Sequence, residues 1–156
     1  MREIDRDIEG WVYGNCYGAA VALHRLTGWP LGGLTALRNA QRGAQMAHAW
    51  VVAPDGQAWD AGGPLHMAEV HADFITSERV PPADVRYETY ADEATFMDRQ
   101  RLLAGHDWPQ CESWFEDVVP RAEVAMADKV LPKWEPLAEA VRVFAEEVFG
   151  APLPAP

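Results

Sequence analysis

The hydrophobic pattern of the first half of the chain predicts one helix followed by a hairpin. Between Asn15 and Gly28 small and apolar residues recur at helical spacing, and these two residues are suited to cap the start and the end of a helix. Residues 48–53 favour a strand, residues 54–56 (PDG) are a turn signature, and residues 57–60 can return as a second strand. The pattern therefore predicts an α+β fold in which the helix packs on a short antiparallel sheet.

The second half of the chain has a mainly helical pattern. Residues 31–45 before it predict a connection with room for one helical turn over 34–42, and residues 61–64 end the hairpin unit. Residues 65–90 are ambiguous, with a short helix near 67–74 and a strand over 85–90 as the options. Four helices are predicted after that point: 92–103, 111–119, 121–130 and 135–149.

The two ends of the chain differ from the part between them. Residues 1–10 are polar and charged, which fits either a frayed arm or a short helical lead-in, and no function can be assigned to them. Residues 151–156 hold three prolines and predict a disordered tail. Residues 1–150 are expected to form a single domain.

Composition narrows the classes of function. In a chain of 156 residues, 49% hydrophobic content and seven tryptophans are enough for a core. With 24 acidic against 13 basic residues the formal charge is -11, which opposes direct binding to nucleic acid or to anionic membranes. There is no apolar stretch of the roughly 18–20 residues that a membrane helix needs, and Cys16 and Cys111 make no disulfide framework. We therefore expect a cytoplasmic protein with reduced thiols.

Three residues carry the candidate chemistry, in the order Cys16, His48, Asp60. A thiol at a helix N-terminus lies near the positive end of the helix dipole, and a neighbouring imidazole can hold its thiolate as an ion pair. His48 would then carry the proton, and Asp60 would fix the tautomer and orientation of the imidazole. The pattern indicates a catalytic triad built around a thiol nucleophile.

The segment GNCYGAAVALHRLTGWPLGGL and the later HAWVVAPDGQAWDAGG resemble the papain-like cysteine hydrolases, and more narrowly their transglutaminase-like branch. The matching features are Gly-x-Cys at a helix start, an Arg-x-x-Gly-x-Pro ending at Pro30, a His-Ala-Trp strand beginning at His48, and Asp60 on the next strand. The likeness covers residues 14–64. It implies a papain-like core with a helical C-terminal half, and hydrolysis or transfer at amide bonds by a peptidase, amidase, deamidase or cross-linking enzyme.

The same resemblance suggests how a protein or peptide substrate would be held. The backbone N–H of Cys16, helped by Asn15 or Tyr13, is expected to stabilise an oxyanion, and Tyr17 and Trp50 are candidates for the substrate groove. No cofactor is expected. No metal is expected either, because the spacings of the remaining histidines and Cys111 match no compact ligand motif.

Other interpretations stay open at this point. Cys16 can be a small buried residue, Asp60 can belong to an ordinary turn, and Cys111 is best explained as a core-facing helical cysteine. The whole chain can instead be a non-enzymatic inhibitor or adaptor whose acidic surface binds a basic protein, or a phage-type effector that combines docking with the triad. That acidic surface would include Glu112, Glu116, Asp117, Glu123 and Asp128.

Overall fold

The structure is a computed structural model, which describes residues 2–36, 45–78 and 82–150. It is an α+β structure with an antiparallel sheet, as the sequence predicts, and the sheet has five strands. The tail predicted at 151–156 and most of the helical turn proposed for 34–42 lie outside the described residues. The main elements are α1 Glu9–Val12, α2 Cys16–Thr27, β1 Leu31–Ala36, β2 Gln45–Val52, β3 Ala58–Asp60, β4 Gly63–Leu65, α3 Met67–Glu78, β5 Val85–Tyr90, α4 Glu93–Ala104, α5 Trp108–Ala125 and α6 Glu135–Phe149.

The sheet has the strand order β4-β3-β2-β1-β5, and every neighbouring pair is antiparallel. The interior strand β1 was predicted to be a connection, and that prediction is wrong. Its glycines disfavour a strand in isolation, but they are needed for packing. A Cβ added to Gly32 would lie 2.2 Å from Nε1 of Trp50, and one added to Gly33 would lie 2.9 Å from the Met46 side chain. The two glycines therefore make room for large side chains of β2.

Helix α2 lies between the sheet and the C-terminal helices, and most of its residues are buried. Ala19 and Ala22 pack in one apolar cluster with Val51 of β2, while Gly18 contacts Val118 of α5 so closely that a Cβ would be 2.5 Å from a valine methyl. The small residues of α2 thus allow close packing against a helix as well as against the sheet. Gly28 ends α2 in the left-handed conformation at φ 71°, and its N–H donates to the His24 carbonyl at 2.8 Å, as predicted.

The C-terminal half is helical, as predicted, but its divisions differ from the prediction. The helices expected at 111–119 and 121–130 form one continuous element, because α5 passes through Pro120 and continues into a π-helical turn, Met126–Val130. Burial of Phe115, Val118 and Ala122 keeps α5 intact on either side of the proline. Within the described stretches no helix is both long and apolar enough to cross a bilayer.

Candidate active site

Cys16 is the first residue of α2 and is only 4% exposed. Although buried, it belongs to none of the three apolar clusters that the described residues form. The predicted side-chain cap by Asn15 is wrong: this residue has φ -107° and ψ 25°, not the extended backbone of a capping residue, and its side chain makes no cap hydrogen bond. The thiol therefore lies at a helix start whose first N–H groups are not occupied by the Asn15 side chain.

His48 is positioned by an irregularity in β2. Leu34 of β1 pairs with His48 and Thr35 pairs with Met46, so Ala47 has no partner in β1. A bulge of this kind bends the strand and redirects the neighbouring side chains. Nε2 of His48 lies 2.8 Å from Oδ2 of Asp60, so the predicted contact between the two hairpin strands is present. With Nε2 used in this way, Nδ1 is the ring nitrogen left for Cys16.

Asp60 is buried, with 2% of its side chain exposed, and its carboxylate accepts four hydrogen bonds. Oδ1 accepts from the Gly62 N–H at 2.8 Å and from Arg2 Nη1 at 2.7 Å. Oδ2 interacts with His48 and accepts from Arg2 Nη2 at 2.8 Å. One oxygen of Asp60 therefore closes the turn while the other holds the imidazole.

These contacts determine which groups carry charge. Burial of the His48 ring would lower its pKa, but the hydrogen bond to Asp60 and the interaction with Cys16 raise the pKa of His48 to about 9. Burial would raise the pKa of Asp60, but the hydrogen bonds from Arg2 and His48 hold it below its usual range. Around neutral pH the site consequently contains an ionised Asp60 beside a His48 ring that favours its protonated form.

The four residues predicted for the oxyanion site and the groove occupy different environments. Tyr13 is 57% exposed, and Asn15 is half-buried. The Tyr17 hydroxyl donates to the Met46 carbonyl, which joins α2 to β2, and burial together with the neighbouring Cys16 raises the pKa of Tyr17. Trp50 is buried in the apolar cluster under α3, with its ring centroid 6.1 Å from that of His48. Of the four, Tyr13 is the one whose side chain is mostly exposed to solvent.

Arg2, which was not among the predicted site residues, lies in the charged N-terminal segment. Arg2 donates two hydrogen bonds to the Asp60 carboxylate, although 58 positions separate the two residues in the chain. One arginine in a charged segment carries no periodicity or motif. The sequence contained only an indirect indication: a carboxylate buried beside His48 needs a further cation to balance its charge.

The other possible metal ligands and Cys111 form no second candidate site in the part of the chain that the structure describes. No group of three or more His, Cys, Asp or Glu side chains is arranged there to hold a metal ion. Cys111 is half-buried on α5, and both cysteines are free thiols. The candidate chemistry is therefore concentrated around Cys16.

Comparisons with protein-family models, with curated protein sequences and with solved structures find no significant match. The residues around Cys16 are therefore the basis for assigning a function.

The raised pKa of His48 predicts a pH-dependent contribution to stability. Because the folded value of about 9 exceeds the 6.5 of a free imidazole, the contribution is complete below pH 6.5 and is lost as the pH rises through 9. We expect His48→Gln to lower the free energy of unfolding at pH 6 by on the order of 3 kcal/mol more than it does at about pH 10. Urea unfolding of both proteins across this range measures the difference.

A matched control is His106→Gln, since the His106 side chain is 95% exposed. This variant should change the free energy of unfolding by little at either pH. An effect of His48→Gln that is the same at both ends of the range would contradict the charge assignment.

Proposed function

We propose that the protein is a thiol-dependent acyl-transfer enzyme that acts on amide bonds and has a papain-like core of the transglutaminase-like branch. One observation carries the proposal: Nε2 of His48 lies 2.8 Å from the buried Asp60 carboxylate, and the helix-start Cys16 acts on the same imidazole to raise its pKa. The order of these residues and the elements that hold them agree with what the sequence resemblance implies. The substrate class is a protein or a peptide, with either a backbone amide or a glutamine side chain as the reacting group.

The catalytic cycle uses each member of the triad in a separate role. In the first step the Cys16 sulfur bonds to the carbonyl carbon, and the carbonyl oxygen takes the negative charge. When the C–N bond breaks, the imidazolium of His48 donates its proton to the departing nitrogen, which leaves as an amine or as ammonia. The products of this step are a thioester on Cys16 and a neutral His48.

The second step regenerates the enzyme. Neutral His48 takes a proton from water or from an acceptor amine, which attacks the thioester carbon, and the sulfur leaves as the thiolate. Water gives hydrolysis or deamidation, whereas an amine gives transfer. Asp60 holds the ring throughout with its bond to Nε2, which leaves Nδ1 as the ring nitrogen that exchanges the proton.

The start of α2 supports stabilisation of the oxyanion. The Cys16 N–H is in the first turn, where backbone donors have no partner within the helix, and Asn15 does not cap that turn. The positive end of the helix dipole also favours both the thiolate and the oxyanion. The nucleophile and the charge that develops on the substrate are thus stabilised by the same helix end.

Alkylation tests the activation of Cys16. We expect iodoacetamide to modify Cys16 readily at about pH 7, where an ordinary thiol with a pKa near 8.5 is mostly protonated. The measurement is the rate of mass increase across pH in the Cys111→Ser background, so that one thiol remains. His48→Ala should move the reactivity toward that of an ordinary thiol. A wild-type profile that already follows an ordinary thiol would remove the basis for catalysis.

Turnover tests the reaction itself. A pool of glutamine-containing peptides, incubated with and without a primary amine, separates the products by mass: cleaved peptides, deamidated peptides or amine adducts. We expect Cys16→Ala to abolish turnover and Asp60→Asn to lower its rate about 100-fold or more, because the amide cannot stabilise the imidazolium. Cys111→Ser serves as the control and should retain full turnover. Turnover that survives Cys16→Ala would contradict the mechanism.

The acidic residues of α5 favour the second candidate, an adaptor that binds a basic protein. Glu112, Glu116 and Asp117 are all exposed on this helix, on a chain whose formal charge is -11. An adaptor of this kind should bind a basic protein at low ionic strength, release it at high salt, and bind equally well as the Cys16→Ala variant. Calorimetry with a purified basic protein at two salt concentrations makes the distinction, since the enzyme requires Cys16 and the adaptor does not.

A further inference from the structure

Arg2 makes a two-pronged ion pair with Asp60, whose carboxylate is buried. Its Nη1 and Nη2 lie 2.7 and 2.8 Å from the two carboxylate oxygens, and Nη1 also lies 3.4 Å from the Gly63 carbonyl. The Arg2 side chain is 20% exposed, so the pair is largely shielded from water. A two-pronged contact of this geometry fixes the orientation of the carboxylate as well as balancing its charge.

The turn after Asp60 leaves space for the guanidinium of Arg2. A Cβ on Gly62 would lie 2.9 Å from Nη1 of Arg2 and 3.2 Å from Oδ1 of Asp60. Gly62 therefore leaves the space in which the arginine reaches the carboxylate, and its own N–H donates to the same oxygen. The glycine, the carboxylate and the arginine form one closely packed unit.

The segment that carries Arg2 is attached to the body of the protein at several points. Ile8 is buried in the same apolar cluster as α2, and Ile4 packs against that cluster. Asp5 forms an ion pair with Lys133, and Asp7 lies 3.9 Å from Lys129. The position of Arg2 at the site is therefore set by the packing of residues 4–8.

We propose that Arg2 is a positioning residue of the active site, which orients Asp60 and balances its charge so that the Cys16–His48 ion pair forms near neutral pH. This proposal rests on the function proposed above. Arg2 contacts neither the sulfur nor the substrate carbon in the mechanism, and it acts through Asp60.

The charge balance supplies the physical reason. When Cys16 is a thiolate and His48 is an imidazolium, the two cations and the two anions of the site cancel. Without Arg2 the same state has an excess negative charge next to a buried thiolate, which is unfavourable where water cannot screen it. Arg2 thus offsets the cost of having both Asp60 and a thiolate in one small buried volume.

The other titratable groups near Arg2 and Cys16 do not supply a positive charge that could replace that of Arg2. Tyr13 and the exposed Glu69 are the further groups that act on the Arg2 charge, and both are neutral or negative. Tyr17 lies beside Cys16, with its hydroxyl donated to a backbone carbonyl and its pKa raised by burial, so it stays neutral. Within the described residues Arg2 is therefore the permanent cation that pairs with Asp60.

Removing the charge of Arg2 should move both titrations of the ion pair in the same direction. A more negative site disfavours the thiolate, so Cys16 ionises at higher pH, and it favours the imidazolium, so His48 loses its proton at higher pH. We expect Arg2→Met to raise the His48 transition by about one pH unit and to move the Cys16 transition in the same direction. Arg2→Lys keeps the charge and should restore both transitions to near their wild-type positions, although it loses the two-pronged geometry.

Nuclear magnetic resonance measures the two transitions separately. The Cβ resonance of Cys16 reports formation of the thiolate, and the ring nitrogens of His48 report loss of the imidazolium proton, with Cys16→Ser and His48→Gln used for assignment. Arg2→Gln is a second uncharged variant that retains donors to Asp60, and it should show the same upward movement even if Arg2→Met fails to fold. Arg6→Met is the matched control, because it removes an equal charge from an exposed arginine of the same segment.

The outcomes separate this proposal from the one on which it rests. If wild-type Cys16 and His48 titrate independently, with no thiolate–imidazolium pair, the proposed function fails and the role of Arg2 fails with it. If the wild-type pair is present but the uncharged Arg2 variants leave both transitions in place, only the role of Arg2 is overturned. Equal movement in Arg6→Met would also overturn it, since the effect would then be one of net charge.

Discussion

The burial of the Asp60 carboxylate is the constraint around which the site is organised. An ionised carboxylate with 2% exposure is unfavourable unless charged or polar donors replace the water it has lost. Here the replacements come from three separate parts of the chain: the N-terminal segment, β2 and the turn that follows β3. Folding must bring all three together, so the geometry of the triad is tied to the stability of the fold.

The position of Cys16 depends on a second constraint, which is the close packing of α2. Gly18 and the alanines of α2 allow the helix to lie between the sheet and α5 without voids or overlaps. Because α2 cannot shift along its axis without disturbing both neighbours, its first residue is held in place beside His48. The helix thus supplies rigidity and a favourable dipole to the same sulfur atom.

Cys16, His48 and Asp60 lie in different surroundings, and these surroundings fit the separate roles proposed for them. Cys16 has a helix end and a ring for neighbours, His48 has an anion on one nitrogen, and Asp60 has two cationic partners. The surroundings of His48 and Asp60 favour the imidazolium and the carboxylate, which are the charged forms that the proposed mechanism uses.

Local patterns in the sequence were sufficient for the helix over 135–149, the hairpin turn and the end of α2 at Gly28, because each depends on neighbouring residues. Strand β1 and the continuity of α5 through Pro120 could not be predicted, since distant packing outweighs local propensity there. At the site, the sequence by itself determined the candidate residues Cys16, His48 and Asp60, of which the structure joins His48 to Asp60. Only the tertiary structure decided that Arg2 pairs with Asp60, because an ion pair between residues 58 positions apart leaves no periodic or local trace in the chain.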